Sequence, residues 1–309
     1  MDEQPSWADL KVLITGASGF LGSHLCRRLS ELGAEVHATS RVMRTARVGK
    51  LCWWQSDLIE IEKVREIFSK SKPDVIYHLA GSVGATPNIE LVLPTFHSLL
   101  TSTVNVLVGA AEVGCRRIIL SGSLTEPRPH DVHPTPSSPY AAAKWAASGY
   151  GRMFHALYKM PTVIVTPFMT YGPCQDSHKL VPSVILSLLQ KKAPKLSSGQ
   201  WEADWIYIDD VIQGFLAAAV VPGIEGMTVD LGTGTKRSVR EVVELIANLM
   251  DSPSKPVFGA LADRPREPVR VADTIDTHRR LGWSAKTSLP DGLQQTIQFY
   301  TERASASRV

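Results

Sequence analysis

The chain has 309 residues, of which 44% are hydrophobic and 20% are charged. This composition is typical of a folded globular protein with a large core and excludes a peptide hormone or a disulfide miniprotein. The net charge is only +3, which is too small to indicate a nucleic-acid-binding protein. The four cysteines are far apart and form no CxxC pair, so they indicate neither a zinc site nor a disulfide framework.

The first residues lack the basic segment and the long apolar run of a secretory signal. No stretch approaches about 18 uninterrupted apolar residues, the length that a membrane span needs. We therefore expect no export, no membrane and a cytoplasmic location, where unpaired cysteines stay reduced.

Short apolar segments alternate with segments of helical periodicity over the first 168 residues. Strands are predicted at 10–15, 35–39, 75–79, 117–120 and 162–166. Helices are predicted at 20–33, 61–69, 99–113 and 140–158. This alternation predicts an α/β fold, a Rossmann-type doubly wound parallel sheet built from right-handed βαβ units.

Beyond residue 168 the alternation becomes irregular, with helices predicted near 180–191 and 211–220 and a strand at 227–231. Five prolines between residues 127 and 139 predict irregular backbone there, because proline lacks the N–H group that helices and sheets use. This stretch is either a loop over a site or a rigid connector.

The change of pattern predicts two parts. Residues 8–168 with about 206–235 are expected to form a nucleotide-binding domain. Residues 169–205 with about 236–309 are expected to form a smaller, mostly C-terminal substrate-binding lobe.

A glycine-rich turn with GxxGxxG spacing joins the first predicted strand to the first helix. Gly16 allows a sharp turn, Gly19 lets the backbone approach a pyrophosphate, and Gly22 permits close packing, while the helix N-terminus offers N–H groups to the anion. An ordinary βα turn is the alternative, but the position between strand and helix favours dinucleotide binding. The predicted cofactor contacts in this turn are Gly16, Ser18, Gly19, Phe20, Leu21 and Gly22.

The second predicted strand ends in Ser40-Arg41, where an NAD site normally has an acid for the ribose hydroxyls. No acid occurs between His37 and Asp57. Ser40, Arg41 and Arg44 can instead bind a 2′-phosphate. We therefore expect NADP(H) to be preferred, with NAD(H) possible and a solvated basic loop as the alternative. The basic residues of this segment, which account for the whole net positive charge, are Arg41, Arg44, Arg47 and Lys50.

Tyr140 is the one tyrosine with a lysine, Lys144, four residues later. This spacing puts both side chains on one face of a helix, where the ammonium would favour the phenolate. Ser123 follows a predicted strand at the sheet edge where open parallel sheets bind ligands. Although YxxxK alone could be a surface pair and Ser123 a turn residue, together they indicate an acid–base site.

These residues resemble the extended short-chain dehydrogenase/reductases, the NAD(P)-dependent epimerase/dehydratase-like enzymes that modify nucleotide sugars. The resemblance covers nearly the whole chain. The segments that carry it are TGASGFLG at 15–22, Asp57-Leu58, HLAG at 78–81, Ser123, Tyr140 with Lys144, Pro167-Phe168, YGP at 171–173, DWIYIDDV at 204–211 and LGW at 281–283.

The resemblance implies roles for several residues. Ser123 and Tyr140 would bind the reacting oxygen, and Lys144 would also hold the nicotinamide ribose. Asp57, next to Leu58, would meet the adenine amino group. The residues implied to line the rest of the cofactor are Leu79, Ala80, Gly81, Pro167 and Phe168. The residues implied to contact substrate are Ser82, Ser123, Met169 and Arg264.

Two departures from the family pattern narrow the reaction. Dehydratases have an Asp-Glu pair directly after the catalytic hydroxyl residue, because eliminating water needs an extra acid and base. This chain has Leu124-Thr125 there, which disfavours dehydration and the related decarboxylation. Glu126 falls one position late, and we interpret it as a loop residue.

Other departures affect the substrate side. Met169 replaces an asparagine and Ala203 replaces an arginine, so two diphosphate contacts of the family are missing. Leu99 replaces a helical asparagine, although Asn105 is present, and Arg264 matches the family's C-terminal arginine. A nucleotide sugar is the first choice of substrate, and a non-nucleotide carbonyl compound is its competitor.

The sequence therefore predicts an NADP(H)-dependent reductase of a nucleotide-linked 4-keto sugar, with Tyr140 as proton donor. The alternatives are a nucleotide-sugar 4-epimerase with tightly bound NAD(P), a reductase of a non-nucleotide carbonyl compound and, least favoured, a non-catalytic NADP-binding protein. We expect no metal and no nucleic-acid partner. By resemblance, a homodimer is expected through the helices at 99–113 and 140–158.

Overall fold

The computed structural model describes residues 6–44, 49–84, 86–128, 131, 134–263 and 268–306. The chain divides into two compact units. The first comprises Met1–Pro167, Ile212–Val229 and Asp276–Trp283, and the second comprises Phe168–Val211, Asp230–Ile275 and Ser284–Val309. Residues 276–283, assigned from sequence to the C-terminal lobe, thus belong to the first unit. That the first unit holds the cofactor and the second the substrate stays a prediction.

The described residues form ten strands and ten α-helices. The strands are β1 Lys11–Thr15, β2 Glu35–Ser40, β3 Leu51–Gln55, β4 Val75–His78, β5 Arg117–Ser121, β6 Thr162–Pro167, β7 Met169–Tyr171, β8 Glu202–Tyr207, β9 Thr228–Leu231 and β10 Lys236–Ser238. The helices are α1 Phe20–Glu31, α2 Ile61–Ser71, α3 Val92–Thr95, α4 Ser102–Val113, α5 Pro139–Tyr158, α6 Leu180–Leu189, α7 Ile208–Val220, α8 Val239–Leu249, α9 Thr274–Leu281 and α10 Leu289–Ala306.

The main sheet has seven strands in the order β3-β2-β1-β4-β5-β6-β9. The first six pair in parallel, with Val12 of β1 opposite Val36 of β2 on one side and Val75 of β4 on the other. These three valines are 2% exposed or less, as expected for strands covered on both faces. The strand order reverses between β1 and β4, and this order confirms the predicted Rossmann-type sheet.

The core of the first unit lies between the sheet and the helices α2, α4 and α5. Leu13 and Ile118 of the sheet pack in one buried cluster with Phe68, Leu107 and Phe154 of these helices. Helix α5, which has Tyr140 and Lys144 in its first two turns, therefore rests against the buried sheet. The core fixes the position of its N-terminal end.

Two helices begin three residues before the predicted position. The helix expected at 99–113 begins in a π-helical turn, Phe96–Thr101, that continues directly into α4. Such turns are rare and cannot be recognised from hydrophobic periodicity. Helix α7 begins at Ile208, three residues before the prediction.

The helical stretch Ile89–Val113 is long and apolar enough to cross a membrane, a test that a core helix of a soluble protein also passes. Length and composition therefore do not show whether this stretch crosses a membrane. The packing of Val106, Leu107 and Ala110 in the buried cluster explains the apolar residues of its α4 part, whereas Ile89, Leu93 and Phe96 in its first part are exposed.

The second unit contains a three-stranded sheet, β10-β8-β7. Asp204 in β8 is almost fully buried. Its carboxylate accepts hydrogen bonds from the backbone N–H groups of Thr233, Gly234 and Ala272 at 2.7, 2.8 and 3.0 Å. One carboxylate thus holds together two segments that follow β9.

Candidate active site

The glycine turn after β1 is too tightly packed for larger residues. Gly16 has a φ of +67°, and a Cβ atom there would lie 2.7 Å from the backbone nitrogen of Ala80. A Cβ atom at Gly22 would lie 2.3 Å from the carbonyl oxygen of Gly16. Gly19 is the N-cap of α1, and no side chain caps the helix there, so the first N–H groups of α1 can bind an anion. Ser18 next to them is exposed.

The end of β4 is held by a buried histidine that the sequence analysis gave no role. His78 lies between the hydroxyls of Thr15 and Thr103, with ring nitrogens 2.8 and 2.9 Å from them. Burial lowers the pKa of His78 to about 3, so the ring is neutral. The Thr15 hydroxyl also accepts the N–H of Ala80 at 3.3 Å. This network fixes the backbone that leads into Leu79, Ala80 and Gly81.

The end of β2 brings the predicted phosphate-binding residues to an exposed segment. Ser40 is buried, and its hydroxyl accepts the N–H of Val42 at 3.2 Å. Arg41 and Arg44 are exposed, and the Arg44 guanidinium lies 5.4 Å from the ring centre of Trp53. Arg41 therefore has the exposed cation closest along the chain to the end of β2. Arg47, the third arginine of the segment, lies outside the described residues.

The segment after β3 is anchored from helix α4. The side-chain amide of Asn105 donates to the carbonyl oxygens of Leu58 and Ile59, both at 3.0 Å. One carboxylate oxygen of Asp57 accepts the N–H of Ile59 at 3.2 Å. Asn105 thus supports the predicted adenine contacts Asp57 and Leu58.

Ser123, Tyr140 and Lys144 come together at the carboxyl end of β5. Ser138 caps α5 by accepting the N–H of Ala141 at 3.2 Å, which fixes the helical turn that contains Tyr140. The Ser123 hydroxyl is close enough to the Tyr140 hydroxyl to lower the pKa of the phenol. The Lys144 ammonium donates to the carbonyl oxygen of Ser121 at 2.7 Å.

Thr125 supports the serine in a way that the sequence analysis did not foresee. Its N–H donates to the Ser123 hydroxyl oxygen at 3.2 Å, and its own hydroxyl lies 2.9 Å from the same oxygen. The residue that stands where a dehydratase has glutamate therefore orients Ser123.

Burial dominates the charge state of this site. It lowers the pKa of Lys144 to about 8, an effect that the carboxylate of Glu126 partly offsets. It also raises the pKa of Tyr140, which the hydrogen bond with Ser123 lowers and the charge of Glu126 raises further. Lys144 is not among the groups that lower the pKa of Tyr140 in the chain alone, although the spacing predicted that it would be, and Tyr140 is protonated at neutral pH.

Glu126 lies in the loop after β5, as interpreted from the sequence, but it is buried and bonded there. Its side chain is 8% exposed, and one carboxylate oxygen accepts the N–H of Ser123 at 2.7 Å. Burial raises its pKa, against the hydrogen bond from Ser148 and the charges of Lys144 and Arg152. The signal in the sequence was a lone acid five residues after a buried strand, in a turn of small residues.

The remaining predicted contacts lie at several positions. Ser82 is exposed after Gly81, and Pro167 ends β6 in the first unit. Phe168 begins the second unit, is 3% exposed and donates its N–H to Leu231 at 2.9 Å. Met169 is part of β7, and Arg264 lies outside the described residues. Among the residues that the structure describes, no three His, Cys, Asp or Glu side chains are grouped as a metal site would need.

The model of the NAD dependent epimerase/dehydratase family matches residues 12–229. This chain belongs to that family. It is 27% identical to the UDP-glucose 4-epimerase of Mycolicibacterium smegmatis, over 96% of this chain and all of that protein. It is also 27% identical to the dTDP-glucose 4,6-dehydratase of Haemophilus influenzae, again over 96% of this chain and all of that protein.

Solved structures have the same fold. The UDP-glucose 4-epimerase of Thermotoga maritima superimposes with a TM-score of 0.86 at 22% identity, covering 95% of this chain and 99% of that one. MoeE5, solved with UDP-glucose and NAD, gives a TM-score of 0.86 at 26% identity with the same coverage. The family assignment predicted from the motifs is confirmed, and so is an enzyme dependent on NAD(P). The relatives favour the 4-epimerase alternative over the predicted reductase.

Proposed function

We propose that this protein is a nucleotide-sugar 4-epimerase that uses NAD(P) bound at the turn after β1. The juxtaposition of Ser123, Tyr140 and Lys144 at the carboxyl end of β5 carries the proposal. The 4-epimerase and the 4,6-dehydratase are equally similar to this chain in identity. Leu124-Thr125 in place of an acid pair supports the epimerase, because elimination of water lacks its acid and base.

The turn after β1 fits a dinucleotide. Glycines occupy positions where a Cβ atom would clash with backbone, and the uncapped N-terminus of α1 offers N–H groups to a pyrophosphate. Lys144 and the segment 79–81 would hold the nicotinamide end. When bound, the cofactor supplies a hydride acceptor and, in its oxidised form, a positive charge.

Each residue of the site has a defined task. Tyr140 takes the proton of the sugar hydroxyl as the carbon at that position loses its hydride, and it returns the proton when the hydride returns to the opposite face. Ser123 donates a hydrogen bond to the same oxygen and is itself oriented by Thr125. Lys144 contributes a positive charge that favours the phenolate of Tyr140.

Within this proposal we infer a preference for NADP(H) over NAD(H). Arg41 is exposed directly after β2, and no acid follows before Asp57. A guanidinium binds a phosphate through two parallel hydrogen bonds, whereas it has no such partner in the free ribose hydroxyls.

A keto-sugar reductase is the second candidate, supported by two observations. Tyr140 is protonated in the chain alone, which is the form that donates a proton to a carbonyl oxygen. In addition, an enzyme that consumes NADPH in each turnover must bind NADPH selectively, and Arg41 would form the 2′-phosphate site for this. Non-nucleotide carbonyl compounds remain its alternative substrates, because Met169 and Ala203 replace diphosphate contacts.

We also propose a cytoplasmic homodimer. Apolar side chains of the first unit are exposed on the stretch 92–96 and on α5, among them Leu93, Phe96, Trp145 and Tyr150. Together they form an apolar surface larger than single scattered residues would give. Light scattering of the purified protein tests this: a dimer mass is expected, and a monomer mass would contradict it.

Two assays distinguish the candidates. UDP-glucose, UDP-glucuronate and dTDP-glucose are incubated with the protein and NAD or NADP, and the C4 epimer is measured by NMR. The epimerase predicts inversion without net consumption of the cofactor. Stoichiometric oxidation of NADPH with a 4-keto sugar, and no inversion, would overturn it in favour of the reductase. Tyr140→Phe is the control that separates this site from a contaminating enzyme.

A further inference from the structure

A closed turn follows β5 and has the catalytic serine at its start. The N–H of Glu126 donates to the carbonyl oxygen of Ser123 at 3.1 Å. In return, a carboxylate oxygen of Glu126 accepts the N–H of Ser123 at 2.7 Å. The main chain and side chain of Glu126 therefore bind both backbone polar groups of Ser123.

The carboxylate also connects this turn to helix α5. Ser148, one turn after Lys144, is buried and close enough to the same carboxylate to lower its pKa. A Cβ atom at Gly122 would lie 3.1 Å from the Glu126 Oε1 atom and 3.0 Å from the Thr166 hydroxyl. The absence of a side chain at Gly122 thus leaves the space that the carboxylate fills.

Charged groups face the carboxylate from the same helix. Lys144 and Arg152 favour its ionised form, while burial disfavours it and raises its pKa. Its negative charge raises the pKa of both Lys144 and Tyr140. On the other side, His78 of β4 is close enough for Lys144 to lower its pKa. His78 is neutral, so Glu126 is the only acid among these residues and the source of their negative charge when it is ionised.

We propose that Glu126 is a positioning residue for the reaction of Ser123, Tyr140 and Lys144. Its carboxylate fixes the Ser123 backbone so that the serine hydroxyl meets the reacting oxygen, and its charge keeps Lys144 an ammonium. Glu126 is not the displaced acid of a dehydratase, because its carboxylate is buried and already accepts the N–H of Ser123. This inference rests on the proposed function of the same site.

The chain offers a matched control. Asp131 accepts the N–H of Arg128 at 2.7 Å with the same three-residue separation and the same distance as Glu126 and Ser123. Asp131 belongs to the same stretch between β5 and α5 but is less buried. Comparing Glu126→Gln with Asp131→Asn therefore separates an effect on the site from the loss of any turn-closing carboxylate.

The kinetic test measures kcat, KM and the pH profile of Glu126→Gln, Glu126→Asp and Asp131→Asn. Since hydrogen bonds to charged groups are the stronger ones, we expect Glu126→Gln to lower kcat by about 10- to 100-fold with KM within about twofold. The alkaline limb of the profile should move to lower pH, because Lys144 loses a nearby anion. Glu126→Asp should have the alkaline limb at the same pH as the unchanged chain but a lower kcat. Asp131→Asn should change neither the alkaline limb nor kcat.

A second readout needs no substrate. NMR titration of the Lys144 side chain, assigned with Lys144→Met, is expected to give a lower pKa in Glu126→Gln than in the unchanged chain, with cofactor affinity and Tm retained. An unchanged Lys144 pKa, or unchanged kcat and pH profile, would overturn the role of Glu126. If the unchanged protein turns over no nucleotide sugar, the proposed function fails, whereas the Lys144 titration still decides this inference.

Discussion

The carboxyl ends of β5 and β2 lie at the same edge of one parallel sheet, yet they differ in how strongly the fold determines their side chains. At β5, Ser123 and Lys144 are each 8% exposed and are bound to Thr125 and Ser121. At β2, Arg41 and Arg44 are exposed, and Arg44 stacks on Trp53. The first end is held by buried hydrogen bonds, and the second presents exposed cations where we propose that the cofactor phosphate binds.

This difference predicts how each end responds to substitution. A buried, hydrogen-bonded group leaves its partners unsatisfied when it is removed, which costs more than the loss of one exposed charge. Substitutions at the end of β5 should therefore abolish turnover. Substitutions at the end of β2 should change only which cofactor binds.

The largest effect is expected for Tyr140→Phe. Without the phenol, the reacting oxygen has no partner for proton transfer, and kcat should fall about 10³-fold. Steady-state kinetics and a cofactor titration measure the two consequences, since cofactor affinity should change little. Full turnover by the variant would show that Tyr140 is not the acid–base group.

The pH dependence should follow Lys144. Burial lowers its pKa to about 8, so its ammonium is present below that pH and is lost above it. We expect kcat/KM to fall about tenfold for each pH unit above 8, since kcat/KM reports the free enzyme. A profile that stays flat to pH 10 would contradict a required ammonium at Lys144.

Arg41→Ala tests the exposed carboxyl end of β2. We expect about a 10-fold weaker affinity for NADP(H), the lower part of the range for a hydrogen bond to a charged group, with NAD(H) affinity unchanged. Calorimetric titration with both cofactors measures the difference. Lys50→Ala is the control, because Lys50 lies in the same basic segment but donates to the carbonyl oxygen of Gly33. Equal losses of NADP(H) affinity in both variants would show that Arg41 contributes only general surface charge and forms no specific phosphate site.

The smallest effect is expected for Ser138→Ala. The N-cap of α5 accepts one N–H group, and its loss should lower the free energy of unfolding by about 1 kcal/mol. Chemical denaturation measures this value. Because Tyr140 is in the first turn of α5, kcat should decrease slightly, while an unchanged stability would mean that the cap does not fix the helix end.

The sequence predicts the first unit well where local pattern and tertiary structure agree. The glycine spacing, the five strands predicted over the first 168 residues and the Tyr140–Lys144 spacing are all local, and each was found where expected, whereas β3 at Leu51–Gln55 was not predicted. The π-helical turn at Phe96–Thr101 was missed, because its cause is not visible in the order of apolar residues.

The burial of single polar groups could not be predicted from the sequence. Glu126 is buried because Ser148 and the side-chain-free Gly122 provide its place, and Ser148 becomes its neighbour only when α5 packs. The raised pKa of Tyr140 has the same origin, since burial is its largest cause and Lys144, which the spacing predicted to lower it, is not among the groups that do. The burial and the pKa of such groups depend on which residues surround them in the folded protein, and the spacing of residues in the sequence does not predict them.

The central claim, reversible hydride removal at C4 by this site, is tested most directly with UDP-glucose that has deuterium at C4. The protein is incubated with this substrate and NAD or NADP, and the product is analysed by NMR and mass spectrometry. The predicted result is inversion at C4 with the deuterium retained on that carbon, abolished in Tyr140→Phe. Inversion with hydrogen from water at C4, or no inversion with this substrate, UDP-glucuronate or dTDP-glucose, would contradict it.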